Sequence, residues 1–274
     1  MRIALLQMTT GIDPVANAAT IVAAIAEAAN GGAAMLFTPE MSGLLDRDRA
    51  RGRAAIRNEA NDSVLAAVCA AAAHRRIWVH IGSLAIDNGR PDGKLANRAF
   101  VIGPAGEIVA RYDKMHLFDV DLATGESWRE SNAYAGGKEA VIADTPLGKL
   151  GLSICYDLRF PALYAALSEA GATILAIPAA FTVPTGQAHW HLLMRARAID
   201  NACFVVAAAQ CGHHADGRDT YGHSLVVGPW GDVLLDMGET IGVAFCEIDP
   251  GQVTDVRARI PVIAHRRSIG SADA

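Results

Sequence analysis

KLGLSICYDLRFPALYAALSEAGATILAIP, residues 149–178, reads as a strand, a tight corner, a helix and a second strand. KLGLSI (149–154) is a short apolar run. Phe160-Pro161 then opens a helix to about Ala170, with proline suited to its first turn, and TILAIP (173–178) is apolar again. Strands alternating with helices at this spacing indicate a layered α/β fold.

The same alternation extends in both directions. Upstream, RIALLQ (2–7) is a strand, Asp13-Pro14 opens a helix to about Asn30, and AAMLFT (33–38) is a second buried strand ending at Pro39-Glu40. A helix from Asn61 or Asp62 to about Arg75 leads into strand IWVHIGSL (77–84). The segment RAFVIGPAGEIVARYD (98–113) is a hairpin turning at Gly103-Pro104-Ala105-Gly106. Downstream, a helix over roughly 186–201 precedes strand CFVVAAA (203–209), and LVVGPWGDVLLD (225–236) is a second hairpin. Val101, Gly103, Pro104 and Gly106 recur 125 residues later as Val226, Gly228, Pro229 and Gly231. With the repeated β–α order, this predicts two related halves packed as one unit. Strands covered by helices on one face and by a second sheet on the other give an αββα sandwich. The rival, a doubly wound dinucleotide-binding sheet, lacks a GxGxxG after any predicted strand.

The chain has 274 residues, of which 51% are hydrophobic and 19% charged, and no Pro/Ser-rich or charged linker divides it, so residues 1–274 read as a single domain. A net charge of -5 with no basic stripe argues against nucleic acid. No apolar run approaches the ~20 residues needed to cross a bilayer, so no membrane partner is expected. The start MRIALLQM enters a strand without a signal-peptide pattern, which places the protein in the cytoplasm as an expectation. Five widely spaced cysteines, Cys69, Cys155, Cys203, Cys211 and Cys246, form neither a disulfide framework nor a zinc CxxC pair. Most should be inert core residues. His189 with His191, and His213-His214 beside Asp216, come without HExxH or a His/Cys quartet, so no metal is expected. Trp190, with Leu193 and Met194, reads as core or pocket wall.

Three residues stand just beyond strand ends, where α/β proteins build sites on loops. Cys155 follows GLSI at the strand-to-helix corner, a place where a nucleophile projects from the sheet beside free backbone N–H groups. Lys114 follows the first hairpin between Tyr112, Met115 and Leu117, an apolar setting in which a buried ammonium needs carboxylate partners. Glu40 ends the second strand between Pro39 and Met41. Alone, each has an ordinary explanation as a small core residue, a loop charge or a turn acid. Together a thiol, an ammonium and a carboxylate form a complete set for acyl transfer.

FTPEM, YDKMHLFD and GLSICYDLRFP, in that order, resemble the Glu, Lys and Cys signatures of the nitrilase superfamily of carbon–nitrogen hydrolases, and the resemblance covers nearly the whole chain. It implies an αββα sandwich that forms a homodimer, with the tail from about residue 250 in the dimer interface, and it implies no cofactor. It also implies a Glu40–Lys114–Cys155 triad and a second glutamate between lysine and cysteine. Glu130 in WRESNAYAGG fits that place better than Glu126 or Glu139. In the implied chemistry Cys155 attacks an amide carbonyl, and Lys114 with the Tyr156 backbone N–H stabilises the oxyanion. Glu40 carries the proton to the leaving nitrogen and then activates water, while Glu130 orients the lysine.

KMHLFDVDLATGESWRESNAYAGG and FTVPTGQAHWHLLMRARAIDNACFVVAAAQCG are similar to the superfamily branch acting on ω-amides of small carboxylic acids. AAAQCGHH with a short loop to YGHS favours the terminal amide of deaminated glutathione over α-ketoglutaramate as substrate. Cleavage would release α-ketoglutarate and cysteinylglycine. Arg159, Arg195 and Arg197 are candidates for a carboxylate clamp, with Tyr221 as a candidate pocket residue. A carbamoylase, an aliphatic nitrilase or a noncatalytic binding homologue would share the fold.

Overall fold

The chain's computed structural model describes residues 1–121, 125 and 127–270. The first half runs β1 (Arg2–Gln7), α1 (Pro14–Asn30), β2 (Met35–Phe37), α2 (Arg49–Ala55), α3 (Ser63–Arg75), β3 (Trp78–Ile86), β4 (Ala96–Ile102) and β5 (Ile108–Asp113). A small β6 (Asp119–Asp121) and β7 (Ser127–Arg129) ribbon follows. The second half runs β8 (Ile142–Thr145), β9 (Gly148–Leu152), α4 (Pro161–Glu169), β10 (Ile174–Ala176), α5 (Val183–Asn201) and β11 (Phe204–Ala207). It continues through β12 (Cys211–His213), β13 (Asp219–Tyr221), β14 (Leu225–Val227) and β15 (Val233–Asp236). The chain then returns through β16 (Gly242–Glu247) and α6 (Gly251–Arg259).

Two six-stranded sheets have the orders β16-β1-β2-β3-β4-β5 and β8-β9-β10-β11-β14-β15. In each, the second, third and fourth strands are parallel, and both edges are antiparallel. β1 shows how the sequence sets the layers. Ile3 and Leu5 face the second sheet, whereas Ala4 and Leu6 face α1 and α3, so the strand is apolar on both sides. Ile21 and Ile25 of α1 and Leu65 and Val68 of α3 cover the outer face of the first sheet. Leu163 and Leu167 of α4, with Trp190 and Met194 of α5, join the core on the second sheet's side. The architecture is the expected αββα sandwich.

Local chemistry explains the element ends. Asp13 caps α1 by accepting the Val15 N–H, with Pro14 in the first turn, and Asp62 caps α3 by accepting from Leu65. Each such cap contributes ~1 kcal/mol. The two repeated hairpins use one turn. Gly103 N–H donates to Glu107 O and Gly106 N–H to Gly103 O; Gly228 and Gly231 repeat these bonds with Asp232 O and Gly228 O. Gly106 and Gly231 sit at φ 84° and 95°, which requires glycine's freedom.

Several bounds differ from the sequence reading. β2 and β10 are three residues each, because Thr38 and Ile177 leave the regular ladder and donate singly to His80 O and Val206 O. α5 begins at Val183, with Pro184 in its first turn, earlier than the expected 186. α2, α6, β8, β16 and the two ribbons were not anticipated. One core residue is unusual: His80 on β3 is fully buried beside Phe37, with no partner for either ring nitrogen among the described residues. Burial pulls its pKa down to about 3.

Candidate active site

At one end of the sandwich, the segments leaving β2, β5 and β9 converge. Cys155 follows β9 with φ 50°, a left-handed conformation that turns the chain sharply into a 3-10 turn over Cys155–Arg159. Its own N–H donates to Pro178 O beyond β10, which fixes the corner against the neighbouring strand. Tyr156, next in that turn, presents an N–H that the turn itself cannot satisfy. Glu40 follows β2 after Pro39, and Met41 beyond it is also left-handed, at φ 56°. Lys114 is placed by its N–H bond to Asn97 O at the end of the β4–β5 pair.

Lys114 meets both Glu40 and Glu130. Lys114 Nζ lies 2.8 Å from Glu40 Oε1 and 2.9 Å from Glu130 Oε2, and all three groups are largely withdrawn from solvent. Cys155 lines the same cavity as this cluster, and the Glu40 charge bears on its thiol. Glu40 is held further by the Ala180 N–H at 2.9 Å and Asn97 Nδ2 at 3.0 Å. Asn97 also reaches Glu130 Oε1 at 3.1 Å, and the Phe118 N–H donates to Glu130 Oε2 at 2.7 Å. Glu139 is absent from this cluster, and Glu126 lies outside the described residues.

The electrostatics assign protonation states. Burial alone would raise the Glu40 carboxyl, but the Lys114 charge and the donors from Lys114, Cys155 and Asn97 outweigh it and hold the group below its ordinary value. Burial alone would lower the Lys114 ammonium; the Glu130 and Glu40 charges reverse this and raise it well above its ordinary value. The Cys155 thiol is raised by burial and by the Glu40 charge, with Lys114 only partly opposing. At neutral pH the resting set is therefore thiol, carboxylate and ammonium.

A further carboxylate organises the loops. Asp157, fully buried two residues after Cys155, accepts from Ile154 N–H at 2.9 Å and Tyr112 Oη at 2.7 Å. It also accepts from the His116 N–H at 2.9 Å, and its contact with His116 Nδ1 is 2.7 Å. It thus joins the cysteine corner to the segment on both sides of Lys114. Asn97, Ala180 and Asp157 were missed by sequence reasoning. Only Asp157 left a signal, an acid inside the otherwise apolar CYDLRF.

Glu40, Lys114, Glu130 and Cys155 line a cavity of about 670 Å³, with Tyr156, Phe181 and Trp128 among its other walls. The four expected substrate-binding residues do not line it. Arg159 packs behind the wall over Tyr156 and Phe181 and contacts His189. Arg195 donates to Gly231 O at the second hairpin. Arg197 is buried against Tyr164 and donates to Leu158 O, serving the α4–α5 packing. Tyr221 stacks on His223 and packs against Gly186 of α5. Arginine and cavity wall instead meet at Arg47, Arg49, Arg53 and Arg218. His191 and His223 both pair with Asp236, away from this cavity.

A protein of Yersinia enterocolitica described as deaminated glutathione amidase is 36% identical over 98% of this chain and 94% of its own length. The crystal structure of the C. elegans NitFhit protein superposes with a TM-score of 0.90 at 37% identity, spanning 97% of this chain and 65% of that one. An amidase of Nesterenkonia sp. AN1, solved with acrylamide added to its active-site cysteine, gives a TM-score of 0.78 at 27% identity, covering 95% of this chain and 98% of that one. The carbon–nitrogen hydrolase family model matches residues 2–258. With the whole sandwich and its converging loops accounted for, the chain belongs to the carbon–nitrogen hydrolase family.

Proposed function

We propose that this protein is an amidase that hydrolyses the terminal amide of deaminated glutathione to α-ketoglutarate and cysteinylglycine through a cysteine thioester. The carrying observation is the buried Glu40–Lys114 ion pair on the cavity wall that Cys155 also lines. The relative described as acting on deaminated glutathione supports the substrate.

In this reading Glu40 takes the thiol proton as Cys155 Sγ attacks the amide carbonyl. The oxyanion is met by Lys114 Nζ and the Tyr156 N–H, donors of a kind worth ~3–4 kcal/mol each. Glu40 returns the proton to the departing nitrogen. It then accepts a proton from water, which attacks the thioester and frees the thiol and the product carboxylate. Glu130 keeps Lys114 charged and aimed. No step calls for a metal or an organic cofactor.

The protein is further proposed to act in the cytoplasm, where a thiol nucleophile stays reduced, and as a homodimer built on one 1–274 domain. Leu192 and Ile199 of α5 are 69% and 47% exposed, and Trp230 on the second hairpin is 52% exposed, an apolar surface that a second copy would cover. The tail beyond 250 lies next to it, with Arg266 bonded to Ala165 O and Asn201 Oδ1 of the α4–α5 layer.

The test is α-ketoglutarate release from deaminated glutathione and from α-ketoglutaramate, with wild type and Cys155→Ala. Higher kcat/KM on deaminated glutathione, lost in Cys155→Ala, is expected. Preference for α-ketoglutaramate would reassign the protein as an ω-amidase, and release from neither would overturn the substrate class.

A further inference from the structure

The cavity wall carries a second cluster, distinct from the Glu40–Lys114–Cys155 set. Trp128 of β7 has the Arg47 guanidinium 4.8 Å and the Arg218 guanidinium 5.3 Å from its ring. Two like charges on one indole repel each other, and cation–π attraction is a modest return. Arg218 is fixed by Asp216, whose own side chain is 1% exposed, at 2.7 Å. Arg47 has no ion pair or hydrogen bond among the described residues. The Trp128 Nε1–H is buried and has no acceptor there either. A buried donor without an acceptor is costly, and it marks Trp128 as an unsettled wall of the cavity.

An anion suits this corner: two guanidiniums supply donors and no acceptor, and a carboxylate supplies acceptors and no donor. The indole face gives an apolar shelf for the ligand's stem. Lys94, also on the wall, adds positive charge that Asp92 beside it partly offsets.

We propose that Arg47, Arg218 and Trp128 form a subsite for the carboxylate at the end of the substrate remote from the scissile amide. The inference rests on the amidase reading above and deepens it. This subsite selects an elongated, carboxylate-terminated amide over a short primary amide. Deaminated glutathione ends in a glycine carboxylate on the leaving side of the cleaved bond, whereas α-ketoglutaramate has nothing there. Discrimination between the two then comes from a cluster assembled by three separate segments, the loop after Glu40, β7 and the β12–β13 ribbon.

The experiment measures binding in the Cys155→Ala background, so it does not depend on turnover. Calorimetry compares deaminated glutathione with its C-terminal amide, first in the parent and then with Arg47→Met or Trp128→Phe added. Arg47 is exposed and makes no ion pair among the described residues, so its replacement spares the fold; Arg218→Lys keeps the charge beside Asp216 while removing the fork. The expected result is tighter binding of the carboxylate form by about tenfold or more, the yield of one charge-assisted hydrogen-bond set. That advantage should shrink in Arg47→Met and Arg218→Lys, and the amide form should change little. Equal affinity for the two ligands in the parent would overturn the subsite, as would an equal loss for both in Arg47→Met. Failure of wild type to hydrolyse deaminated glutathione would be a separate result, bearing on the amidase reading alone.

Discussion

The two halves of the molecule share a topology and divide the chemistry unequally. Strand pairing places Leu5 against Phe37 and Leu152 against Ala176, so Cys155 after β9 corresponds to Met8 after β1. By the same register Glu40 corresponds to Ala179, with Pro39 and Pro178 before them. His80 on β3 corresponds to Val206 on β11. β5 is two residues longer than β15, and the extra length carries the chain on to Lys114. One half supplies the thiol, the other the acid and the ammonium. The lesson is that a repeated frame fixes where loops emerge, while single substitutions at matched loop positions decide what they do.

The largest test of this comparison replaces matched residues. Cys155→Ala should reduce kcat by ~10⁴-fold or more, as loss of a nucleophile does. Met8→Leu, a volume-conserving change at the matching place, should leave kcat within about twofold. Equal losses would mean that Met8 shares in the site. Next is Lys114→Met, which leaves Glu40 and Glu130 facing one another without a counter-ion. Activity should fall by ~10²–10³-fold and stability by ~3–5 kcal/mol, read from kcat and urea unfolding on the same preparation.

His80→Val copies the second half into the first and should act through pH. The folded imidazole titrates near about 3, whereas the unfolded one takes its proton near 6.5. The unfolded state therefore binds more protons as pH drops from 6.5 towards 3, and wild type loses stability over that window. At pH 5 the loss amounts to ~2 kcal/mol. The variant should keep only the smaller slope contributed by His214, which burial also holds below its ordinary value. Below 4.5 both proteins should weaken, since Glu40 takes its proton near 4.5 in the unfolded chain but only at lower pH in the folded one. A wild-type profile already flat between 6.5 and 4.5 would contradict the buried neutral histidine.

The smallest effect separates the two hairpin turns. Alanine at Gly106 or Gly231 meets the same left-handed backbone, costing ~1–2 kcal/mol. At Gly106 the added carbon would also lie 2.7 Å from Cys69 O, a backbone atom; at Gly231 it would meet Ile199 Cδ1, the end of a flexible side chain. Gly106→Ala should therefore lower the thermal midpoint more than Gly231→Ala.

Much of this frame is legible in the sequence because its signals are local. Asp13-Pro14 and Asp62 mark helix starts, the Gly-Pro-x-Gly turns mark both hairpins, and FTPEM, YDKMHLFD and GLSICYDLRFP mark the loops that converge. What escaped depends on distant partners. β16 exists because its six residues pair with β1 at the other end of the chain, Gly242 opposite Gln7 and Glu247 opposite Arg2. Asn97 reads as one polar residue in a strand until Glu40 and Glu130 are beside it. The four arginine and tyrosine positions around the nucleophile and α5 were reasonable by proximity in sequence, but helical phase turns Arg195 and Arg197 toward packing contacts. Arg47 and Arg218 lie 171 residues apart, and nothing in either neighbourhood announces Trp128 between them.

Asp157 has a consequence for motion. Two sheets stacked face to face can slide or breathe, and a reaction centre shared between them would lose alignment with each excursion. A misplacement of ~1 Å can cost a hundredfold in rate. Asp157 takes Ile154 from one sheet's loop and Tyr112 and His116 from the other's, on either side of Lys114. It works as a rivet through the seam: thermal displacement of one loop drags the other along, and the spacing between thiol and ammonium stays constant while the rest of the sandwich moves.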